Sequence, residues 1–215
     1  MAGEYQHSSE GSEFSLPFAA EVGLTPRLAL LIEPTPYVSI HKKGLTDVHG
    51  VGDTEITATF LAVEEKEILP AIAFGAEVKL PTARNSRIGT KAIDFAFYAI
   101  ASKRVGRIDL HANVAYTLVG KPSGATKVSD TLAFALAAEY KFDANWDAFS
   151  EVMYTTSALG SSTEGTGATT EIGTDELIGT VGIRRHLTHD LVVFGSVSYD
   201  NSHASLLRLG LTRQF

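Results

Sequence analysis

The sequence predicts an all-β fold, an antiparallel up-and-down barrel, from three observations. Apolar and polar residues alternate with period two along most of the chain. The alternating segments run about 10 to 13 residues, against about 5 to 6 for an ordinary soluble strand. No helix-patterned segment separates them, so the crossovers that parallel pairing needs are missing and a meander follows.

Taken in order, the first segment sets Phe14, Leu16, Phe18, Ala20 and Val22 against Glu13, Ser15, Pro17, Ala19 and Glu21. Ile56, Ala58, Phe60 and Ala62 then oppose Glu55, Thr57, Thr59 and Leu61, and Ile72, Phe74, Ala76, Val78 and Leu80 oppose Ala71, Ala73, Gly75, Glu77 and Lys79. Ile108, Leu110, Ala112, Val114, Tyr116 and Leu118 oppose Asp109, His111, Asn113, Ala115, Thr117 and Val119. A helix would scatter that last set around its axis, whereas a strand sorts it into two faces. Leu132 to Phe142 repeats the pattern. Strands are expected at 12–23, 27–41, 53–63, 70–82, 92–103, 107–120, 130–142, 146–157, 176–187, 190–200 and 204–215. One set of connections is tight: Thr25-Pro26-Arg27, Val105-Gly106-Arg107, Asp143-Ala144-Asn145 and Thr188-His189-Asp190. The other set, 42–52, 83–91, 121–129 and 158–175, is longer and richer in Gly and Ser. The stretch Gly160 to Thr174 is built from small and polar residues and is expected to be a mobile extracellular loop that cannot form a plug.

Composition bounds the function. With 215 residues, 44% of them hydrophobic, the chain can bury a sizeable surface and is not a disordered one. It has no Cys, so disulfides and thiolate metal sites are excluded. A net charge of -7 and a pI of about 5.5 argue against nucleic acid as a partner. No apolar run is long enough for a transmembrane helix.

Alternation alone fits two barrels. A soluble ligand-binding barrel turns its apolar face inward, and a membrane barrel turns it outward. Two features favour the membrane. The chain ends with Leu207, Leu209 and Leu211 at alternate positions before a terminal Phe215, as in the signal read by the bacterial barrel-insertion machinery, with Arg213 departing from it. The strand count also exceeds the eight of a lipocalin. Short turns at one end and long loops at the other fit the outer-membrane kind.

Bacterial single-chain barrels have even strand numbers, yet eleven strands can be drawn. A twelve-stranded barrel is expected, with ten strands as the alternative if two of the segments are one loop, and with 12–215 as the barrel and 1–11 disordered or the remnant of a first strand. Met1 to Gly11 lacks the basic and apolar regions of a signal peptide, so the sequence is expected to begin late. The last strand, 204–215, is then expected either to carry unmatched backbone groups or to pair in parallel with 12–23.

Several local patterns resemble a known family. Gly50-Val51-Gly52-Asp53-Thr54-Glu55 opens a strand, Pro70 through Pro81-Thr82 closes one, and Gly89 through Asp94 with Ala101-Ser102-Lys103-Arg104-Val105-Gly106 forms the next hairpin. Gly23-Leu24-Thr25-Pro26-Arg27-Leu28 is similar to its periplasmic turn, with Pro26 where an acidic residue is usual. Together, over residues 10 to 215, they resemble the outer-membrane transporters labelled by the meta-pathway of phenol degradation. The resemblance implies a narrow outer-membrane channel, some members being linked to aromatic or other apolar small molecules. It carries no catalytic motif and no cofactor.

The inner face is expected to hold Glu77, Lys79, Asp109, His111, Asn113, Glu139, Lys141, Phe149, Glu151, Arg184, Phe194 and Arg208. An Arg or Lys facing lipid at mid-depth costs about 2 to 4 kcal/mol, and inward placement of the charged groups removes that cost. Two readings stay open for them: a network that stiffens a small lumen, or the lining of a conduit. More inward acids than bases favour cations over anions. Phe149, Phe194, Met153, Leu61, Ile100 and Val192 form either an apolar constriction or dry packing. Tyr116, Tyr140, Trp146, Tyr154 and Tyr199 suit interfacial girdles. His186 and His189 straddle a turn, and His41 and His49 flank a loop, so no metal site is expected. His111 and Asn113 have no Ser two residues beyond the His to make an outer-membrane hydrolase motif, so no enzyme is expected. The expected role is a bacterial outer-membrane channel for passive uptake of small molecules, with lipid and the barrel-assembly machinery as partners. The alternatives are a structural or adhesive barrel with a plugged lumen, and a soluble barrel that binds an apolar ligand.

Overall fold

The computed structural model describes residues 1–121, 128–158 and 174–215. It is one antiparallel sheet of fifteen strands. They are β1 (Ala2–His7), β2 (Gly11–Ser15), β3 (Ala20–Thr25), β4 (Leu28–Pro34), β5 (Val38–Lys42), β6 (Val48–Gly50), β7 (Thr54–Val63), β8 (Ala71–Leu80), β9 (Asp94–Val105), β10 (Ile108–Leu118), β11 (Thr131–Lys141), β12 (Trp146–Thr155), β13 (Glu176–Thr188), β14 (Leu191–Asp200) and β15 (Ser205–Arg213). The order is β3-β4-β7-β8-β9-β10-β11-β12-β13-β14-β15-β1-β2-β5-β6.

Three breaks in the ladder are local. Pro17 lies between β2 and β3 and Pro36 between β4 and β5, where proline has no N–H to donate, and Val51-Gly52-Asp53 separates β6 from β7. Main-chain bonds span the gaps: Leu16 N to Tyr37 O at 2.9 Å, Phe18 N to Pro34 O at 3.0 Å, and Gly52 N to Thr35 O at 2.8 Å. Residues 11–25, 28–42 and 48–63 are therefore three continuous runs, and the sheet reads as twelve. The ends of the strand order, β3 and β6, are joined through the chain to strands inside it, which gives the sheet its barrel form.

The last strand departs from expectation. β15 does not pair in parallel with 12–23, and of the two expected outcomes only the unmatched edge is met, in part, at Thr212 and Arg213 beyond the reach of β1. The strand runs antiparallel to β1, from Ala2 opposite Gly210 to His7 opposite Ser205, and β1 pairs on its other side with β2. The physical reason is that Met1 to Gly11 supplies enough extended chain, closed by the Ser8 N to Gly11 O turn at 2.9 Å, to satisfy the β15 edge. Below β1 the ladder stops. Among the described residues β3 bonds to β4 and to no strand on its other edge, so the described wall is joined through β15-β1-β2 and open along Ala20–Thr25.

At one end lie the turns at 26–27, 106–107 and 189–190 and the short connection 142–145. Gly106 takes φ +63° in its turn, a conformation that favours glycine. Residues 64–70 close the remaining connection at this end. There the Lys103 ammonium hydrogen-bonds to Glu65 at 2.9 Å and holds that carboxyl below its usual range. The opposite end carries 43–47, 81–93, 119–121 with 128–130, and 156–158 with 174–175, together with the short links 8–10 and 201–204. The expected loop 42–52 is thus shortened by β6. Most of the loop Gly160 to Thr174 lies outside the described residues.

The faces divide sharply. Leu136 and Val181 are 67% and 64% exposed, and Leu110, Leu132, Phe74, Phe97 and Val197 are exposed on the same outer surface. No large side chain is fully buried among the described residues. The outer face ends in rings of aromatics. Tyr116 Oη donates to Asp130 Oδ2 at 2.7 Å, Tyr154 donates to Asp175, and Tyr199 shares a hydrogen bond with His203 at 2.6 Å, all at the loop end. At the turn end Trp146 lies under Arg185 and Tyr140 packs edge-on against Phe142.

Candidate functional site in the barrel lumen

Inside the wall, between β11, β12, β13, β14, β15 and β1, is a cavity of about 820 Å³. Ladder partners share a face, so the register carries the lining around the barrel. One row runs Asp109, Glu139, Phe149, Gly182, Ser196, Arg208, Glu4. The next row toward the loops runs Ala137, Glu151, Thr180, Ser198, Leu206, Gln6, Glu13, Ile40, Val48.

The structure places all twelve expected lumen residues on this inner face and splits them into two groups. Glu139, Phe149, Glu151, Arg184, Phe194 and Arg208 line the cavity together. Glu77, Lys79, Asp109, His111, Asn113 and Lys141 lie on other parts of the wall. Lys79 pairs with Asp94. Asp109 accepts from Arg104 at 2.6 and 2.9 Å and pairs with Lys141 at 3.1 Å. Glu77 accepts from Thr57 at 3.0 Å and Tyr98 at 2.6 Å. His111 Nδ1 lies 2.8 Å from Ser102 Oγ across the β9–β10 ladder. Asn113 Oδ1 is buried and has no hydrogen-bond partner, so it does not orient that His as a triad would require. His186 meets Asp147 at 2.8 Å, and His41 meets Asp47 at 2.6 Å. Among the described residues no group of three metal-ligating side chains forms.

Two glycines shape the cavity. Phe149 is the ladder partner of Gly182, and Phe194 that of Gly210. A Cβ on Gly182 would sit 2.2 Å from Phe149 Cζ, and one on Gly210 would sit 2.3 Å from Phe194 Cζ. Each ring therefore lies against a notch in the wall and leaves the lumen open. Over Phe149, Arg184 Cζ stands 4.7 Å from the ring centroid. From there its guanidinium reaches across β12 to clasp both oxygens of Glu139, at 2.7 and 2.9 Å. On Gly210 the nearest obstacles are all Phe194 ring atoms. We expect Gly210→Ala to fold, to push that ring into the lumen and to lower single-channel conductance. An unchanged conductance would mean that Phe194 does not border the path.

The charge pattern has a sign. Arg184 is held by Glu139, Arg208 by Glu4 at 2.5 Å, and Lys79, Lys141 and Arg104 by acids. Acids remain over: Glu33 and Glu55 face each other across the β4–β7 ladder, and Glu151 and Glu176 line the cavity.

At the loop end the apolar face turns inward. Val38, Ile40 and Val48 are buried on the lumen side, because the prolines at 34 and 36 add a residue between β4 and β5 and shift the alternation. Loop 81–93 packs there. Ile88 Cδ1 lies 3.0 Å from the Cβ position of Gly50, Ala83 N donates to Asp53 at 3.0 Å, and Ala83 and Ala92 are buried.

A long-stranded antiparallel sheet with apolar residues outside and charged ones inside defines a β-barrel of the outer-membrane type. The chain belongs to the family described as "Putative MetA-pathway of phenol degradation", whose model matches residues 5–200. Solved structures with this fold include an outer-membrane channel from Pseudomonas putida F1, 17% identical, TM-score 0.68, covering 98% of this chain and 93% of that one. The NanC porin is 10% identical, TM-score 0.69, covering 100% and 98%. The CymD monoaromatic hydrocarbon channel is 11% identical, TM-score 0.51, covering 100% and 77%. A comparison with curated protein sequences gave no match.

Proposed function

We propose that the protein is a bacterial outer-membrane channel for passive passage of small molecules. The observation that carries this reading is the inversion of the faces. A soluble cup would bury Leu136 and Val181, which here are the outer surface, and a contiguous apolar belt of this extent is stable only in lipid. The polar cavity inside gives passage without covalent chemistry, so no catalytic role is assigned. Leu207, Leu209 and Leu211 on the outer face of β15, with Phe215 after it, suit recognition by the barrel-assembly machinery. The family and the fold of known channels, among them the CymD monoaromatic hydrocarbon channel, support a small-molecule cargo.

The experiment is liposome swelling with protein refolded in detergent, its folding checked by heat-modifiable gel migration. Small neutral sugars should enter at a rate proportional to protein content. A heat-modifiable barrel that admits none would favour the plugged, structural reading.

A further inference from the structure

We propose that the lumen cavity is a subsite for small organic cations, a protonated amine carried on an apolar body, with Glu151 as the residue that selects the charge. The proposal rests on the channel reading above and specifies its cargo.

The cavity is mixed in character. Phe149, Met153, Ile178, Val192 and Phe194 supply apolar surface, and charged groups stand among them. The cations are already satisfied. Arg184 is clasped by both Glu139 oxygens and Arg208 is paired with Glu4, while the His186 ring is hydrogen-bonded to Asp147. An anionic guest would have to break one of these pairs to gain a partner, and would leave a carboxylate stranded on the wall. Asp147 and Glu139 are the acid halves of those pairs. Asp200 also lines the cavity, but its Oδ1 is taken up by its own turn, accepting from Ser202 N, Ser202 Oγ and Ala204 N at 2.8, 2.7 and 2.8 Å.

Glu151 is different. It lines the cavity and makes no hydrogen bond or ion pair among the described residues. Along β12 it stands between Phe149 and Met153 on the same face. Its ladder partner is Thr180, and Met153 is partnered by Ile178. A carboxylate thus sits in a frame of one ring, one thioether and one branched chain, with the Thr180 hydroxyl beside it. An ammonium group fits the carboxylate, and a ring or alkyl chain a few ångströms away fits the frame. Glu176, also in the cavity and also without an ion-pair partner, adds attraction of the same sign toward the loop end.

The test uses the refolded full chain in planar bilayers and three probes of one shape: phenethylammonium, 2-phenylethanol and phenylacetate. Phenethylammonium should reduce the potassium current at millimolar concentration and carry current itself, and the other two should do neither. Glu151→Gln should weaken that block by roughly tenfold, about 1.4 kcal/mol, the scale of one charged hydrogen bond. Glu151→Asp should retain most of it, which guards against a folding defect in the first variant. Equal block by phenylacetate or phenylethanol, or unchanged block in Glu151→Gln, overturns the subsite while leaving the channel standing. A heat-modifiable protein with no potassium current overturns the channel reading and the subsite with it.

Discussion

Val181→Arg should destabilise the folded barrel by about 2 to 4 kcal/mol, while Thr180→Arg next to it should fold nearly as well as the parent. The two residues are consecutive near the middle of β13, and successive strand residues point to opposite faces. Val181 is an outer residue, so arginine there must sit in hydrocarbon or drag water to it. Thr180 faces the lumen opposite Glu151, which would pair with the new guanidinium. Urea unfolding in detergent or lipid vesicles, followed by gel mobility, measures both. Equal loss in the two variants would mean that the faces are not separated by solvent as described, and destabilisation by Thr180→Arg alone would invert them.

The second large effect concerns ion preference. Replacing Glu33, Glu55 and Glu77 together by Gln should clearly reduce the preference for potassium over chloride, leaving the part set by Glu151 and Glu176. Glu33 and Glu55 are direct ladder partners, and Glu77 is held by hydroxyls instead of a cation. Every lumenal arginine or lysine discussed above already has an acid, so these carboxylates share the uncompensated charge with Glu151 and Glu176. Their field should fade as salt rises, since the Debye length falls from ~10 Å at 0.1 M to ~3 Å at 1 M. Reversal potentials in a KCl gradient measure it. A triple variant as cation-selective as the parent would place the filter elsewhere.

Much of this fold is legible in the sequence because period two assigns whole faces. Leu110, Leu132, Leu136 and Val181 could be separated from Asp109, Glu139 and Arg184 by parity alone, without knowing which strands touch. What parity misses is anything set by register or by a change of phase. Ala2–His7 could be read only as disordered or as a remnant strand, because it is too short and polar to alternate clearly, and its antiparallel pairing is fixed by the edges on both sides. The inward turn of Val38, Ile40 and Val48 escaped because the shift at Pro34 to Pro36 is a geometric event. The Phe149–Gly182 and Phe194–Gly210 pairs join residues on different strands, so each glycine reads as a weak strand residue until its partner is known. Arg184 and Glu139 stand two strands apart, and their clasp exists only because Gly182 leaves room for Phe149 beneath it. Ser102 and His111 are likewise joined by the β9–β10 register alone.

The reversal potential of the unmodified refolded chain in a planar bilayer, under a KCl gradient at low salt, is the most direct single measurement. A polar lumen inside an apolar wall predicts discrete conductance steps with potassium favoured over chloride, and a preference that weakens as salt is raised. A folded, heat-modifiable barrel that carries no current, or one that favours chloride, would contradict it.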